Sequence, residues 1–270
     1  MSGPLARQVF DLKDSVVWIT GSSRGIGAGI ARHMADHGAS VVVHGRSAES
    51  TAPIVAEFDA TGVDVLAVDG DVRDEESVNA MVAAISERFG RLDHVVANVG
   101  GAAYGSVSDN PAARFSRQLD LNLVSAYATL RAAHPLLLEA RGSAVMISAT
   151  AATNPTPLFA GYGAAKAGVE QMAATMAAEW GPDVRVNAVS PGLIRTEGSM
   201  AAVFDGSEEL AARAGTTTAV GRIGEPDDIA WACHYLLSQA AAFVSGITLA
   251  VDGGPTDGPT QRILSAIEDK

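Results

Sequence analysis

The chain has 270 residues, 47% of them hydrophobic, and a single cysteine, Cys233, so it can bury one large core and forms no disulfide within itself. Its formal net charge of −12 opposes general affinity for nucleic acid or anionic membranes. No apolar run is long enough to span a bilayer and residues 1–14 lack the apolar core of a signal peptide, so a cytoplasmic protein is expected.

Val16-Val17-Trp18-Ile19 reads as a strand buried on both faces, and it runs straight into Thr20-Gly21-Ser22-Ser23-Arg24-Gly25-Ile26-Gly27. Helical spacing through Ile30 and Met34 follows, as far as Gly38. The glycines therefore occupy a strand-to-helix turn. Gly21 permits the bend, Gly25 lets backbone N–H groups approach a ligand, and Gly27 lets the helix pack on the sheet. A helix N-terminus placed there suits a pyrophosphate. Farther on, Ser40–His44 reads as a strand, Ser50–Thr61 as a helix and Val63–Val68 as a strand ending in Asp69-Gly70-Asp71-Val72. Asp74 caps a helix running to Phe89, and His94–Ala97 is a strand leading into Asn98-Val99-Gly100-Gly101.

Pro111–Leu138 reads as one long helix, Ala144–Ser148 as a strand, Gly161–Trp180 as a helix, and Arg185–Val189 and Ile247–Val251 as strands. About seven strands alternating with helices predict a doubly wound α/β fold with a parallel sheet, in a single domain over residues 1–254. Residues 255–270 form a tail with no assignable role. The two irregular stretches, Thr153–Ala160 and Glu197–Gly221, both follow strands at the carboxyl edge, where such sheets bind ligands. His33 and His37 stand four apart on a helix, but no third ligand is indicated. They read as a solvated face, and no metal is expected.

Tyr162-Gly163-Ala164-Ala165-Lys166 opens a helix and places a phenol and an ammonium on one face. Together with the glycine turn, Asn98-Val99-Gly100, Arg185-Val186-Asn187-Ala188-Val189-Ser190-Pro191-Gly192, Gly221–Ala230 and Asp252-Gly253-Gly254, this chain resembles the short-chain dehydrogenase/reductase family over residues 12–254. The resemblance implies a Rossmann domain and hydride transfer between a nicotinamide and a carbonyl or secondary alcohol. It makes Tyr162 the general acid/base and Lys166 its electrostatic partner, lowering a phenol pKa that is ordinarily about 10. Lys166 also becomes a ligand of the nicotinamide ribose. Asn122 corresponds to the asparagine that anchors a water relay, with a helix-kink residue as the alternative.

NAD-binding relatives carry an acid at the end of the second strand, where this chain has Gly45 followed by Arg46 and Ser47. With Arg24 in the glycine turn, that pattern implies NADP(H). The resemblance adds Ser23, Ile26, Asp71, Val72, Asn98, Gly100, Pro191, Gly192, Ile194 and Thr196 to the cofactor-binding positions, Asp71 and Val72 at the adenine and Thr196 at the carboxamide. One position departs from the pattern. The family's catalytic serine aligns with Ala149, flanked by Ser148 and Thr150. A bulge bringing Ser148 into the pocket is the expectation, with Thr150 as the other hydroxyl.

Two readings of function stand. One is an NADP(H)-dependent carbonyl reductase or alcohol dehydrogenase for an apolar small molecule, assembled as a homotetramer through the helices Pro111–Leu138 and Gly161–Trp180. The other is a dinucleotide-binding sensor or scaffold with little turnover, which Ala149 favours.

Overall fold

The computed structural model describes residues 9–254, so the tail call on 255–270 lies outside the described residues. Its strands are β1 (Val16–Ile19), β2 (Ser40–Gly45), β3 (Val65–Asp69), β4 (His94–Ala97), β5 (Ser143–Ile147), β6 (Arg185–Pro191) and β7 (Thr248–Val251). All seven pair in parallel, in the order β3-β2-β1-β4-β5-β6-β7.

Side-chain alternation along these strands explains why they read as nearly continuous apolar runs. Val17 and Ile19 of β1, Val41 and Val43 of β2, and Val145 and Ile147 of β5 enter one core. Val16 and Trp18, Val42, and Ala144 and Met146 enter the opposite one. The helices that cover the first core include α1 (Gly25–Asp36), α2 (Ala48–Thr61) and α9 (Pro226–Leu237). Those that cover the second include α3 (Glu75–Phe89), α5 (Ser125–Ala140) and α6 (Ala160–Trp180). Connections leave β1 and β4 toward opposite sides of the sheet, which opens a crevice at the carboxyl edge between them.

Several expectations are corrected. The long helix predicted over Pro111–Leu138 is divided into α4 (Ala112–Leu119), a π-helical turn (Asp120–Val124) and α5. The cause is local: Asn122 turns inward and its amide donates to the Gln118 carbonyl at 3.0 Å, which interrupts the regular ladder. Glu197–Gly221 is not irregular but holds α7 (Glu197–Phe204) and α8 (Glu208–Gly215), each capped by a hydroxyl, from Thr196 and Ser207.

The solvated face expected at His33 is also wrong. Gly29 leaves no room for a side chain, since a Cβ there would meet Pro226 Cβ at 2.5 Å, so α1 and α9 pack closely. That approach buries His33 to 7% exposure and brings His234 of α9 against it. Burial, with His37 and His234 beside it, pushes the His33 pKa down to about 4.

Candidate active site

The turn after β1 takes its shape from its glycines. Gly21 and Gly25 have φ of +64° and +57°, a region open to glycine but strained for other residues. Gly27 is fixed by space instead: a Cβ there would lie 2.3 Å from the Gly21 carbonyl oxygen and 2.6 Å from Asn98 Nδ2. The N–H groups of the first turn of α1 have no acceptor within the helix and face the crevice.

The turns after β1 and β4 are joined. Thr20 Oγ1 accepts from the Asn98 and Val99 N–H groups at 3.0 and 3.2 Å, and Asn98 Nδ2 donates to the Thr20 carbonyl at 2.9 Å. His44, at the end of β2, ties in the third side. Its Nδ1 accepts from the Gly21 N–H at 2.9 Å while Nε2 donates to the Gly70 carbonyl at 3.2 Å. Sequence reading passed over His44. Its position at a strand end beside a glycine turn was the available signal.

A cavity of about 660 Å³ runs from this turn to Tyr162. Ser23, Arg24, Ile26, Arg46, Asp71 and Val72 line one part of it. Asn98, Gly100, Tyr162 and Lys166 line another, and Pro191, Gly192, Ile194 and Thr196 close it from β6 and the start of α7. Two predicted residues do not line it. Ser47 caps α2 with its N–H on Ser50 Oγ at 3.4 Å. Asn122 is buried behind the wall, where its Oδ1 accepts from the Gly101 N–H and its Nδ2 donates to the Gly101 carbonyl, both at 2.9 Å. A Cβ on Gly100 would meet Asn122 Oδ1 at 2.7 Å and Lys166 Nζ at 3.0 Å, so these two groups close on one point.

The volume, the bare glycines and the helix N-terminus at the sheet's switch point fit an extended dinucleotide. A family model described as enoyl-(acyl carrier protein) reductase matches residues 21–256. The chain is 36% identical over 253 residues to 3beta-hydroxysteroid dehydrogenase 1 of Eggerthella lenta, covering 91% of this chain and 95% of that one. The chain belongs to the short-chain dehydrogenase/reductase family.

Among solved structures of the family, a 7α-hydroxysteroid dehydrogenase in complex with NADH and 7-oxo glycochenodeoxycholic acid superposes with a TM-score of 0.88 at 30% identity, covering 96% of this chain and 99% of that one. A gluconate 5-dehydrogenase from Burkholderia cenocepacia in complex with NADP and tartrate gives 0.87 at 27%, covering 94% and 99%. The chain is thus an oxidoreductase of a family that uses nicotinamide dinucleotides. Among the described residues no helix is long and apolar enough to cross a membrane.

Within this short-chain dehydrogenase/reductase site Ser148 lines the cavity, but its hydroxyl is engaged away from it. Its hydroxyl lies 2.8 Å from Glu170 Oε1 and 3.1 Å from the Lys166 carbonyl, so its one proton is spent on α6. The regular alternation of β5 explains this. Ile147 faces the first core, and Ser148 continues on the opposite side, against α6. Thr150 starts a 3-10 turn and is not part of the cavity wall, whereas Ala149 is.

Electrostatics brings a second correction. Burial raises the Tyr162 pKa to about 12 and lowers that of Lys166 to about 8. Lys166 Nζ donates to the Ile147 carbonyl at 2.7 Å and stands 5.7 Å from the centre of the Tyr162 ring. In this arrangement burial favours the protonated phenol, so Tyr162 holds its proton at neutral pH.

Two outcomes are expected. Between the folded Lys166 pKa of about 8 and an ordinary lysine value, the unfolded chain binds a proton that the folded chain lacks, so this group makes stability rise with pH. Urea unfolding at pH 7.5 and 9.5 should therefore show wild type gaining on the order of 2 kcal/mol relative to Lys166→Met. Ser148→Ala should lower stability by about 1 kcal/mol and leave dinucleotide affinity, read by NADPH fluorescence titration, within about twofold.

Proposed function

We propose that this protein is an NADP(H)-dependent reductase of the carbonyl group of apolar small molecules. The observation that carries the cofactor preference is the end of β2. A side chain on Gly45 would run into Ser50 Oγ at 2.1 Å and Thr51 Cγ2 at 2.9 Å, so α2 leaves no room for the acid that would hold a ribose diol. Arg24 and Arg46 line the same part of the cavity, and neither makes a salt bridge among the described residues. Arg73 lies there too, but both carboxylate oxygens of Asp71 engage it, which holds the Asp71 pKa down at about 2. Two uncommitted guanidinium groups suit a 2′-phosphate. The gluconate 5-dehydrogenase bound to NADP lends support.

The bound dinucleotide would supply hydride at the nicotinamide ring. Gly25 and Gly27, with the first turn of α1, would hold the pyrophosphate, and Lys166 the ribose. Tyr162 keeps a proton on Oη at neutral pH, in the state needed to protonate a carbonyl oxygen as it gains charge. Asn122 acts at one remove, gripping the Gly101 backbone so that the turn beside Lys166 keeps its shape. The approach to Tyr162 is aromatic: Tyr104 packs on Phe159 at 4.7 Å between centroids, and Phe159 on Tyr162 at 6.0 Å. Leu158, with φ of +73°, is held in this wall by a hydrogen bond from the Gly105 N–H to its carbonyl at 3.0 Å. These groups favour an apolar substrate. Exposed Val124 and Tyr127 near the start of α5, and Ala167 and Ala178 on α6, offer faces for a homotetramer, for which a solution mass of four chains is expected.

Ala149 favours the second reading, a sensor with little turnover. NADPH oxidation against a panel of apolar ketones separates the two, because only the reductase turns over. Tyr162→Phe should bind NADPH within about twofold of wild type and lose at least about 100-fold in rate; retained activity refutes the proton-donor role. Arg46→Ala should weaken NADPH by about 10–100-fold and NADH by no more than about twofold, and equal losses refute the 2′-phosphate assignment.

A further inference from the structure

We propose that His33, His37 and His234 form a site for one divalent transition-metal ion of zinc's class, at the end of α1 remote from the dinucleotide cavity. One ligand nitrogen from each lies within 4.8 Å of the other two. Around tetrahedral zinc, with Zn–N bonds of about 2.0–2.1 Å, the nitrogens sit roughly 3.3 Å apart. His33 Nε2 and His234 Nδ1 are already 2.9 Å apart, and binding would turn the His37 ring, now stacked on His33 at 4.2 Å between centroids, toward them.

The hydrogen bonds already present fix which nitrogens are free. His37 Nδ1 is 2.7 Å from the His33 carbonyl, and only an N–H pairs with a carbonyl, so Nδ1 carries the proton and Nε2 keeps a lone pair. His234 Nε2 donates in the same way to the Phe10 carbonyl at 2.6 Å, leaving a lone pair on Nδ1. That lone pair faces His33 Nε2 at 2.9 Å. Backbone carbonyls gripping the far nitrogen are the outer-shell partners that orient metal-bound imidazoles. On binding, His33 carries its proton on Nδ1 and presents Nε2 to the ion, and each imidazole stays neutral.

Composition and setting select the ion. Three imidazoles with no carboxylate or thiolate in the cluster suit zinc, cobalt, nickel or copper rather than magnesium or calcium. His33 and His234 are buried while His37 is partly exposed, which leaves a water-reachable fourth position. The cluster sits on the last turn of α1, where the helix dipole favours a cation. Trp231 covers one side, its ring 4.4 Å from that of His33 and 5.1 Å from that of His37. An ion here would join α1 to α9 and, through the Phe10 carbonyl, to the segment preceding β1.

The test uses the full chain without a histidine tag, stripped with a chelator. Zinc titrated against a chromophoric competitor should bind at one ion per chain, and cobalt should give the strong visible absorption of a tetrahedral site. Zinc at about 100 times its Kd should raise the thermal midpoint by roughly 5–10 °C. His37→Ala, at the most exposed of the three positions, should fold and lose more than about 100-fold in zinc affinity. His37→Gln serves the same purpose if alanine proves destabilising. Absence of zinc uptake by wild type, uptake unchanged in both variants, or a weak octahedral cobalt spectrum would each reduce the cluster to a packed hydrogen-bond chain and overturn the proposal.

Discussion

The site rests on one joint, between the turns that leave β1 and β4 in opposite directions. A parallel sheet that changes direction between neighbouring strands leaves a gap there, with backbone groups that the ladder no longer pairs. Thr20 and Asn98 satisfy them reciprocally, a hydroxyl accepting two N–H groups and an amide answering a carbonyl. The amide occupies the space beside Gly27, which is why that residue has no side chain. His44 then braces the same turn from β2. These bonds tie the three loops that border the crevice to one another.

Burial governs the chemistry at the other end of the cavity. In water an ammonium beside a phenol stabilises the phenolate and lowers the phenol's pKa, which is the effect expected of Lys166 on Tyr162. Inside the protein both groups lose hydration, and each moves toward its neutral form. The lysine compensates by donating to the Ile147 carbonyl, the group nearest the end of β5. Ser148 is drawn into the same accommodation from the next position, where it meets the Glu170 carboxylate and the Lys166 carbonyl. The Ser148 hydroxyl beside Ala149 is therefore already committed to α6.

The alternation of strands and helices was legible because burial on both faces writes continuous apolar runs, and the glycine turn was legible because its φ values and close approaches exclude other residues. Nearly all of the expected cofactor positions do line one cavity. What escaped the sequence was set by tertiary contact. The π-helical turn depends on where Asn122 finds a carbonyl, and α7 and α8 depend on hydroxyl caps within a stretch of weak periodicity. The sidedness of Ser148 was carried by strand register, and an assumed bulge overrode it. His33 and His37 were two members of a cluster whose third lies 197 positions beyond His37 and arrives only when α9 packs on α1.

That packing makes α1 the shared element of the molecule. Gly27 lets its first turn approach the β1 turn, and Gly29 lets its next residues approach Pro226 at the start of α9. Two close contacts within one turn leave the helix little freedom to shift along its axis. Its positive end is thereby held at the cavity and its negative end among three imidazoles. Any group that ties those imidazoles together restrains the far end of the helix whose near end shapes the dinucleotide turn. The two ends are linked through a rigid element rather than through a chain of flexible side chains.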